Sequence, residues 1–335
     1  MNQISCSIVF IDNSDSDFTG YDINTSKVRG TESSLILLAE SFIKKGIKVK
    51  VLTETKQTVI CNGVEYLNKE TPLSENFDIC IAISNANRFE NFKAKKYIVW
   101  SNSLQPFEKF LRKKQLFPFI KYKPEVVTMC NYQFDKRSFI TSLYGKHMIS
   151  LSVDPIFYTE DVDINFIPDK NVLNNIRSLR NLDWLIRIWT KNFKNKDNQA
   201  KLYINPDLIS YTDHLKTNNI FERKYGTRKE LIDELKNTRV FAYTGHKSDI
   251  WVLTVEEAVQ MCVPVVTYGI GSVKDRVKHG ETGYIVKNDD EFAYYMEKLL
   301  FDDEFYLKLR KKMLKNRGFK NWDYIANIWI KKFLS

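Results

Sequence analysis

Asp249, Glu256 and Glu257 lie where acidic side chains are hardest to accommodate, inside the apolar run "SDIWVLTVEEAVQMCVPVV", Ser248 to Val266. Carboxylates in such a segment are costly to bury unless something pairs with them or uses them. Val255, Ala258, Val259 and Cys262 follow the i, i+3, i+4, i+7 rule, so the segment is a helix ended by Pro264, with Asp249 in the loop before it. On that pattern alone Asp249 caps the helix and the glutamates face water; the other reading is that one of the acids holds a ligand. Metal chemistry finds little support. Cys6, Cys61, Cys80, Cys130 and Cys262 are scattered without a CxxC pair, and His147, His214, His246 and His279 lack ligand spacing. The adjacent acids in "FDDEF", Phe301 to Phe305, read as a helix cap.

The elements that must position these groups alternate between strand and helix. "ISCSIVFI", Ile4 to Ile11, is a β-branched run. The helix "GTESSLILLAESFIKKG" follows, with Leu35, Leu38, Ala39 and Phe42 on one face, Thr31 as N-cap and Gly46 as stop. "IKVKVLT" completes a βαβ unit. Further strands are expected at Phe77–Ser84, Tyr97–Asn102, Val126–Cys130 and His147–Leu151. The pattern restarts after Asp154-Pro155 and an acidic stretch to Pro168. Strands Asn171–Ile176, Lys201–Asn205, Val240–Thr244 and Pro264–Tyr268 follow, with helices Leu182–Phe193 and Arg228–Lys236 and three basic amphipathic helices at the end. The alternation implies an α/β fold: two Rossmann-like domains facing a cleft, with chemistry in the loops after strands.

A chain of 335 residues, 43% hydrophobic and 13% aromatic, has material for two cores. Its start is not that of a signal peptide, and no run approaches the ~18–20 apolar residues of a membrane span, so a cytoplasmic protein is expected. A formal net charge of +10 points to an anionic partner: nucleic acid, a lipid surface or a phosphorylated small molecule. The charge is concentrated between Lys93 and Lys123, where Lys95, Lys96, Lys109, Arg112, Lys113, Lys114 and Lys121 face Glu108 alone. Phe107, Phe110, Leu111, Phe117, Phe119 and Tyr122 interleave with them. Such a patch suits the anionic inner face of a membrane; as a solvated helix edge its aromatics would be core.

The segment "SDIWVLTVEEAVQMCVPVVTYGIGSVKDRVKHGETGYIV" closely resembles the donor-site region of retaining GT-B glycosyltransferases of the family-4 type, the glycosyl transferases group 1. That family carries a Glu, seven residues, a second Glu followed by Ala, a Pro-Val-Val strand and a "GETG" turn. Glu257-Ala258, Pro264-Val265-Val266 and Gly280 to Gly283 match; the first acid here is Asp249 instead of Glu. The resemblance implies that Glu257 accepts hydrogen bonds from the ribose and Asp249 from the transferred sugar. The N–H groups of Val252 and Leu253 would face the diphosphate. "NNIRSLRNLDWLIRIW" resembles the family's strand–helix junction that carries an Arg and a Lys. Arg180 stands in the place of the Lys, as the diphosphate clamp, and Arg177 stands close to a missing earlier Arg. "KYGTRKEL" resembles the loop that touches the base, which makes Tyr225 to Thr227 candidates. His246 is a candidate sugar contact or a solvated loop histidine.

"VRGTESSLILLAESF" resembles the family's Gly-Gly-x-Glu loop, with Gly30 matching the second glycine and Arg29 replacing the first. "IVWSNSLQPF" places Asn102 or Ser101 where relatives often carry a histidine, so no base is assigned. "SVDPIFY" resembles the hinge. The resemblance therefore implies an acceptor-side domain over residues 1–155, a linker over 156–168 and a donor domain over 169–316. Residues 317–335 would form a helix packing back on the first domain. The implied activity is retaining transfer of a hexosyl or N-acetylhexosaminyl group. It would pass from a UDP- or GDP-sugar to a glycan or lipid-linked hydroxyl, in surface glycan or glycolipid synthesis, with no metal or further cofactor. Two alternatives are a catalytically weakened nucleotide-sugar-binding homologue and a basic nucleic-acid-binding protein. The sequence offers no known nucleic-acid module for the latter.

Overall fold

The computed structural model describes residues 6–25, 28–145, 147–175, 181–194, 196, 199–205, 216–223, 226–318 and 320–334. The chain divides into two compact units, one formed by Met1–Asp154 with Lys320–Ser335 and the other by Pro155–Phe319.

The first unit is built on an eight-stranded sheet. Its strands in chain order are β1 (Ser7–Ile11), β2 (Lys48–Thr53), β3 (Val59–Cys61), β4 (Val64–Asn68), β5 (Asn76–Ile83), β6 (Lys93–Trp100), β7 (Glu125–Thr128) and β8 (His147–Met148). They lie in the spatial order β3-β4-β2-β1-β5-β6-β7-β8, and every pairing is parallel except the β3–β4 hairpin. The central strands are apolar on both faces, as a sheet covered on both sides requires, and Ile8 to Ile11 are at most 1% exposed. From β1 the chain runs outward to β2 and then returns to the other side at β5, so strand order reverses between β1 and β5. In open α/β sheets this reversal leaves a crevice at the carboxyl ends of the two strands.

The first helix, Gly30–Lys44, buries Leu35, Ile36, Leu38, Ala39 and Phe42. It starts earlier than its sequence suggests: Arg29 is the N-cap, because Ser33 N donates to Arg29 O at 2.9 Å, and Thr31 lies inside the first turn. Gly46, with φ +79°, takes the left-handed conformation that ends it. The same unit takes back the helix Trp322–Phe333, capped by Asn321, whose Trp329 meets Trp100 edge to face with ring centroids 5.8 Å apart.

The second unit holds a six-stranded, wholly parallel sheet of β9 (Asn171–Leu173), β10 (Lys201–Ile204), β11 (Ile220–Glu222), β12 (Val240–Ala242), β13 (Val265–Thr267) and β14 (Gly283–Ile285). The order β11-β10-β9-β12-β13-β14 reverses between β9 and β12. The strands β3, β4, β11 and β14 were not anticipated from sequence; three of them are three residues long, too short for alternation to register. The acidic stretch expected to be a linker carries the helix Ile156–Thr159 and is fastened to the second unit. Arg310 Nη1 donates to Asp163 O at 3.3 Å and Phe166 O at 2.6 Å, and Arg317 Nη2 donates to Phe157 O at 3.0 Å and Glu160 O at 2.6 Å. Asp302 caps the helix Asp303–Leu314 through Phe305 N at 3.0 Å, the role its sequence implies.

Candidate functional site

The reversal between β9 and β12 draws the chemically distinctive residues of the second unit together. At the carboxyl end of β9, Asn174 is 1% exposed; its Nδ2 donates to Ala242 O on β12 at 2.9 Å, while its Oδ1 is buried without a hydrogen-bond partner. β12 runs into Tyr243, Thr244 and Gly245, all buried. Gly245 has φ +83°, and a Cβ there would stand 2.6 Å from Ile270 O, so the loop after β12 lies directly against the loop after β13. Gly271 makes the reciprocal approach at φ +76°, where a Cβ would fall 2.2 Å from His246 O. Both positions require glycine for conformation and for space.

Asp249 is fixed in this double loop from three directions. Its N donates to His246 O at 2.9 Å, its O accepts from Ser272 N at 3.0 Å, and its Oδ2 accepts from Tyr243 Oη at 2.6 Å. It does not cap the following helix. That helix, Leu253–Gln260, begins after Val252 with no side-chain cap. The first N–H groups of any helix have no acceptor within it, so its positive end suits an anion. His246, half-buried, turns its Nδ1 back to Ser248 Oγ at 2.7 Å and Ser248 N at 3.1 Å, a local loop turn.

One turn into the same helix Glu256 and Glu257 are both half-buried. Glu256 Oε1 accepts from Gln260 Nε2 at 3.0 Å along the helix surface. Glu257 lies close enough to Arg228 to act on its ionisation: burial pulls the guanidinium below its ordinary pKa and the Glu257 charge opposes that fall. Arg228 opens the helix Arg228–Lys236, and Thr227, an expected base contact, is its N-cap. The Thr227 hydroxyl accepts from Glu230 N at 3.3 Å and donates to Glu230 Oε2 at 3.1 Å.

Arg228 and Tyr243 are the groups that sequence reasoning missed, although Arg228 immediately follows the "KYGT" stretch that drew notice. A third is Arg223, 6% exposed at the end of β11, which pairs with Glu234 and donates to Asn175 and to Asn205 at 3.2 Å. It thereby joins the carboxyl ends of β9, β10 and β11. Arg276 lies 3.1 Å from the ring centroid of Trp251, a cation–π contact beside Asp249.

Arg177, Arg180 and Tyr225 lie outside the described residues. The remaining expected residues belong to the first unit. Arg29 is exposed at its helix cap, Gly30 is the first helical residue and its O accepts from Ser34 Oγ at 2.7 Å, and Asn102 follows β6 with its Oδ1 buried and unpartnered. Among the described residues no group of three or more His, Cys, Asp or Glu side chains is placed to hold a metal ion.

Residues 172–317, from within β9 to beyond the last strand of the second sheet, match the model of the family described as glycosyl transferases group 1. Whole-fold likeness extends further. Sucrose-phosphate synthase from Thermosynechococcus elongatus is similar over 98% of both chains, at 12% identity and a TM-score of 0.66. WaaG, a glycosyltransferase involved in lipopolysaccharide biosynthesis, is similar over 97% of this chain and 99% of its own, at 10% identity and a TM-score of 0.68. Anabaena HepE, solved in complex with UDP and glucose, is similar over 98% and 99% of the two chains, at 13% identity and a TM-score of 0.64. No curated protein matches the sequence. The fold is GT-B, and residues 172–317 carry the likeness to the glycosyl transferases group 1. Both the matched family and the similar structures are glycosyltransferases.

Proposed function

We propose that the chain moves a hexosyl or N-acetylhexosaminyl group from a UDP- or GDP-sugar to a hydroxyl of a glycan or lipid-linked acceptor, with retention of anomeric configuration. The observation that carries this reading is the grouping at the β9–β12 reversal. The Leu253–Gln260 helix presents its N-terminus there, Asp249 precedes it on a loop braced by Tyr243 and Ser272, and Glu257 faces Arg228 one turn along. In this reading Glu257 accepts hydrogen bonds from ribose hydroxyls and Asp249 from the transferred sugar. When the glycosyl–oxygen bond breaks, negative charge gathers on the departing diphosphate. Fixed N–H dipoles at the helix start stabilise that charge without reorganising, a term worth several kcal/mol in comparable sites. Arg180 and Arg177 are the cations proposed to share it, which leaves no step that needs a metal. UDP in the HepE complex favours a uridine donor.

The test is a thermal-shift screen against UDP, GDP, ADP and their sugars, followed by NMR assignment of the product anomer. A shift with UDP or GDP ligands and a product of the donor's own anomeric form are expected. An inverted product would remove retention; binding with no turnover on any acceptor would make the chain a nucleotide-sugar binder.

We further propose that the first unit meets an anionic membrane surface, the cytoplasmic inner face in this reading. The helices Phe107–Arg112 and Leu116–Tyr122 bury Phe110 and Phe119 against each other, with ring centroids 4.9 Å apart. They leave Phe107, Leu111, Leu116, Phe117 and Ile120 exposed, Phe117 by 68%. Phe119 also packs on Tyr144 of the helix Phe139–Tyr144, which exposes Phe139 by 79% and Leu143 by 63%. Lys109, Arg112, Lys113, Lys114, Lys121 and Lys123 surround this apolar surface. The lysines of β6 stand apart from it: Lys95 pairs with Asp78 at 2.7 Å and Lys96 Nζ donates to Phe333 O at 3.1 Å. Among the described residues no helix is long and apolar enough to cross a membrane. The protein is expected to sediment with vesicles containing phosphatidylglycerol and to stay in solution with pure phosphatidylcholine. Phe117→Ser with Ile120→Ser should reduce the bound fraction severalfold; equal partition of both proteins would refute the surface.

A further inference from the structure

The reversal between β1 and β5 in the first unit holds a second chemically unusual site. Asp12 follows β1 and is 1% exposed; Glu32, in the first turn of the Gly30–Lys44 helix, is 5% exposed. Two serines join them. Ser14 Oγ donates to Asp12 Oδ2, Ser16 N donates to Ser14 Oγ at 3.2 Å, and Ser16 Oγ donates to Glu32 Oε1 at 3.1 Å. The second oxygen of Glu32, Oε2, is buried and has no hydrogen-bond partner. Burial raises the Asp12 pKa, and the Glu32 charge raises it further, so the two carboxyl groups sense one another.

A buried carboxylate oxygen without a donor costs roughly 1–3 kcal/mol or more, a cost that a bound hydrogen-bond donor removes. The position suits a ligand. Asn13 Nδ2 donates across the reversal to Ile83 O at 2.8 Å and Asn85 O at 3.2 Å, so the Asp12 loop spans the carboxyl ends of β1 and β5. This is the crevice where open α/β sheets bind small molecules. The chemistry favours neutral O–H donors over a cation. Lys69 Nζ already stands 3.3 Å from Ser14 O and pairs with Glu54, so a second cation would meet it.

We propose that Asp12 and Glu32, with Ser14 and Ser16, form a binding site for the hydroxyl groups of a neutral sugar on the acceptor. The inference rests on the sugar-transfer reading and gives it an acceptor chemistry. Glu32 Oε2 would accept from one sugar hydroxyl and Asp12 from a neighbouring one.

The experiment titrates the full chain, by ligand-observed NMR, with the methyl glycosides of glucose, galactose, mannose and N-acetylglucosamine, and separately with glucosamine. UDP binding is measured in parallel by thermal shift. At least one neutral glycoside should bind. Glu32→Gln, which keeps size and fold, should weaken that binding by about tenfold or more, as loss of a charged acceptor does, and Asp12→Asn should weaken it as well. The UDP shift should be unchanged in both. Unchanged glycoside affinity in Glu32→Gln would overturn the site, as would binding of glucosamine alone or of no sugar by a protein that binds UDP. Glu32-dependent glycoside binding without a UDP response would keep this site and discard the donor site instead.

Discussion

Replacing Glu257 by alanine is expected to erase the thermal shift produced by the nucleotide sugar and to slow transfer by about a hundredfold or more. The size follows from the chemistry assigned to it. A hydrogen bond to a charged acceptor contributes about 1.5–3 kcal/mol, and a ribose offers two hydroxyls to one carboxylate. Arg228, pulled below its ordinary pKa by burial, would also lose the charge that opposes this fall. The change therefore lowers the stability of the free protein too, and the ligand-induced shift must be measured against each variant's own unliganded midpoint. Glu256→Ala is the matched control. That side chain is engaged by Gln260 along the helix, so its removal should leave the nucleotide response intact. Equal responses from wild type and Glu257→Ala, or equal losses from both variants, would show that the donor sits elsewhere.

Trp329→Ala is expected to be the most damaging substitution outside the site. Trp329 is 2% exposed, packs edge to face on Trp100 and lies 5.3 Å from Phe333 between ring centroids. Truncating a buried tryptophan costs about 3–5 kcal/mol, a large part of the stability of a single domain. The loss belongs to the first unit. Chemical denaturation followed by fluorescence should show one transition moved to much lower denaturant while the UDP response, carried by the second unit, survives under native conditions. A loss of unfolding free energy below about 1 kcal/mol would mean that the Trp322–Phe333 helix contributes little to that unit.

How far these features are legible before folding differs from group to group. The α/β alternation is strong in the sequence because parallel strands covered on both faces are continuous apolar runs, as in Ile8 to Ile11 and Cys80 to Ile83. The short strands β3, β11 and β14 leave no such trace. At the candidate site, Glu257 and Asp249 stand out by being acidic within an apolar segment. Arg228, Arg223 and Tyr243 do not, since each lies in an ordinary-looking stretch and gains meaning only from the side chains it meets in the fold. Arg223 reaches Asn175 and Asn205, 48 and 18 positions away. Tyr243 is the instructive case. Asp249, the shorter acid of the pair, gains from it a 2.6 Å hydrogen bond that orients the carboxylate, so a side chain lacking one methylene is held firmly instead of reaching freely. The Asp12–Glu32 pair was invisible for another reason: a carboxylate after a strand and another in a helix's first turn are each commonplace, and only their burial together is not.

The first unit is closed by residues made after the whole of the second. Its sheet is complete by Met148, yet the helix that packs on Trp100 begins at Trp322, after all of the second unit has been translated. During synthesis the second unit has every residue it needs before the first unit does, and Trp100 lacks its partner until Trp329 has emerged from the ribosome. A released chain truncated after residue 319 should thus carry a protease-resistant second unit behind a first unit that still exposes its aromatic seam to chaperones.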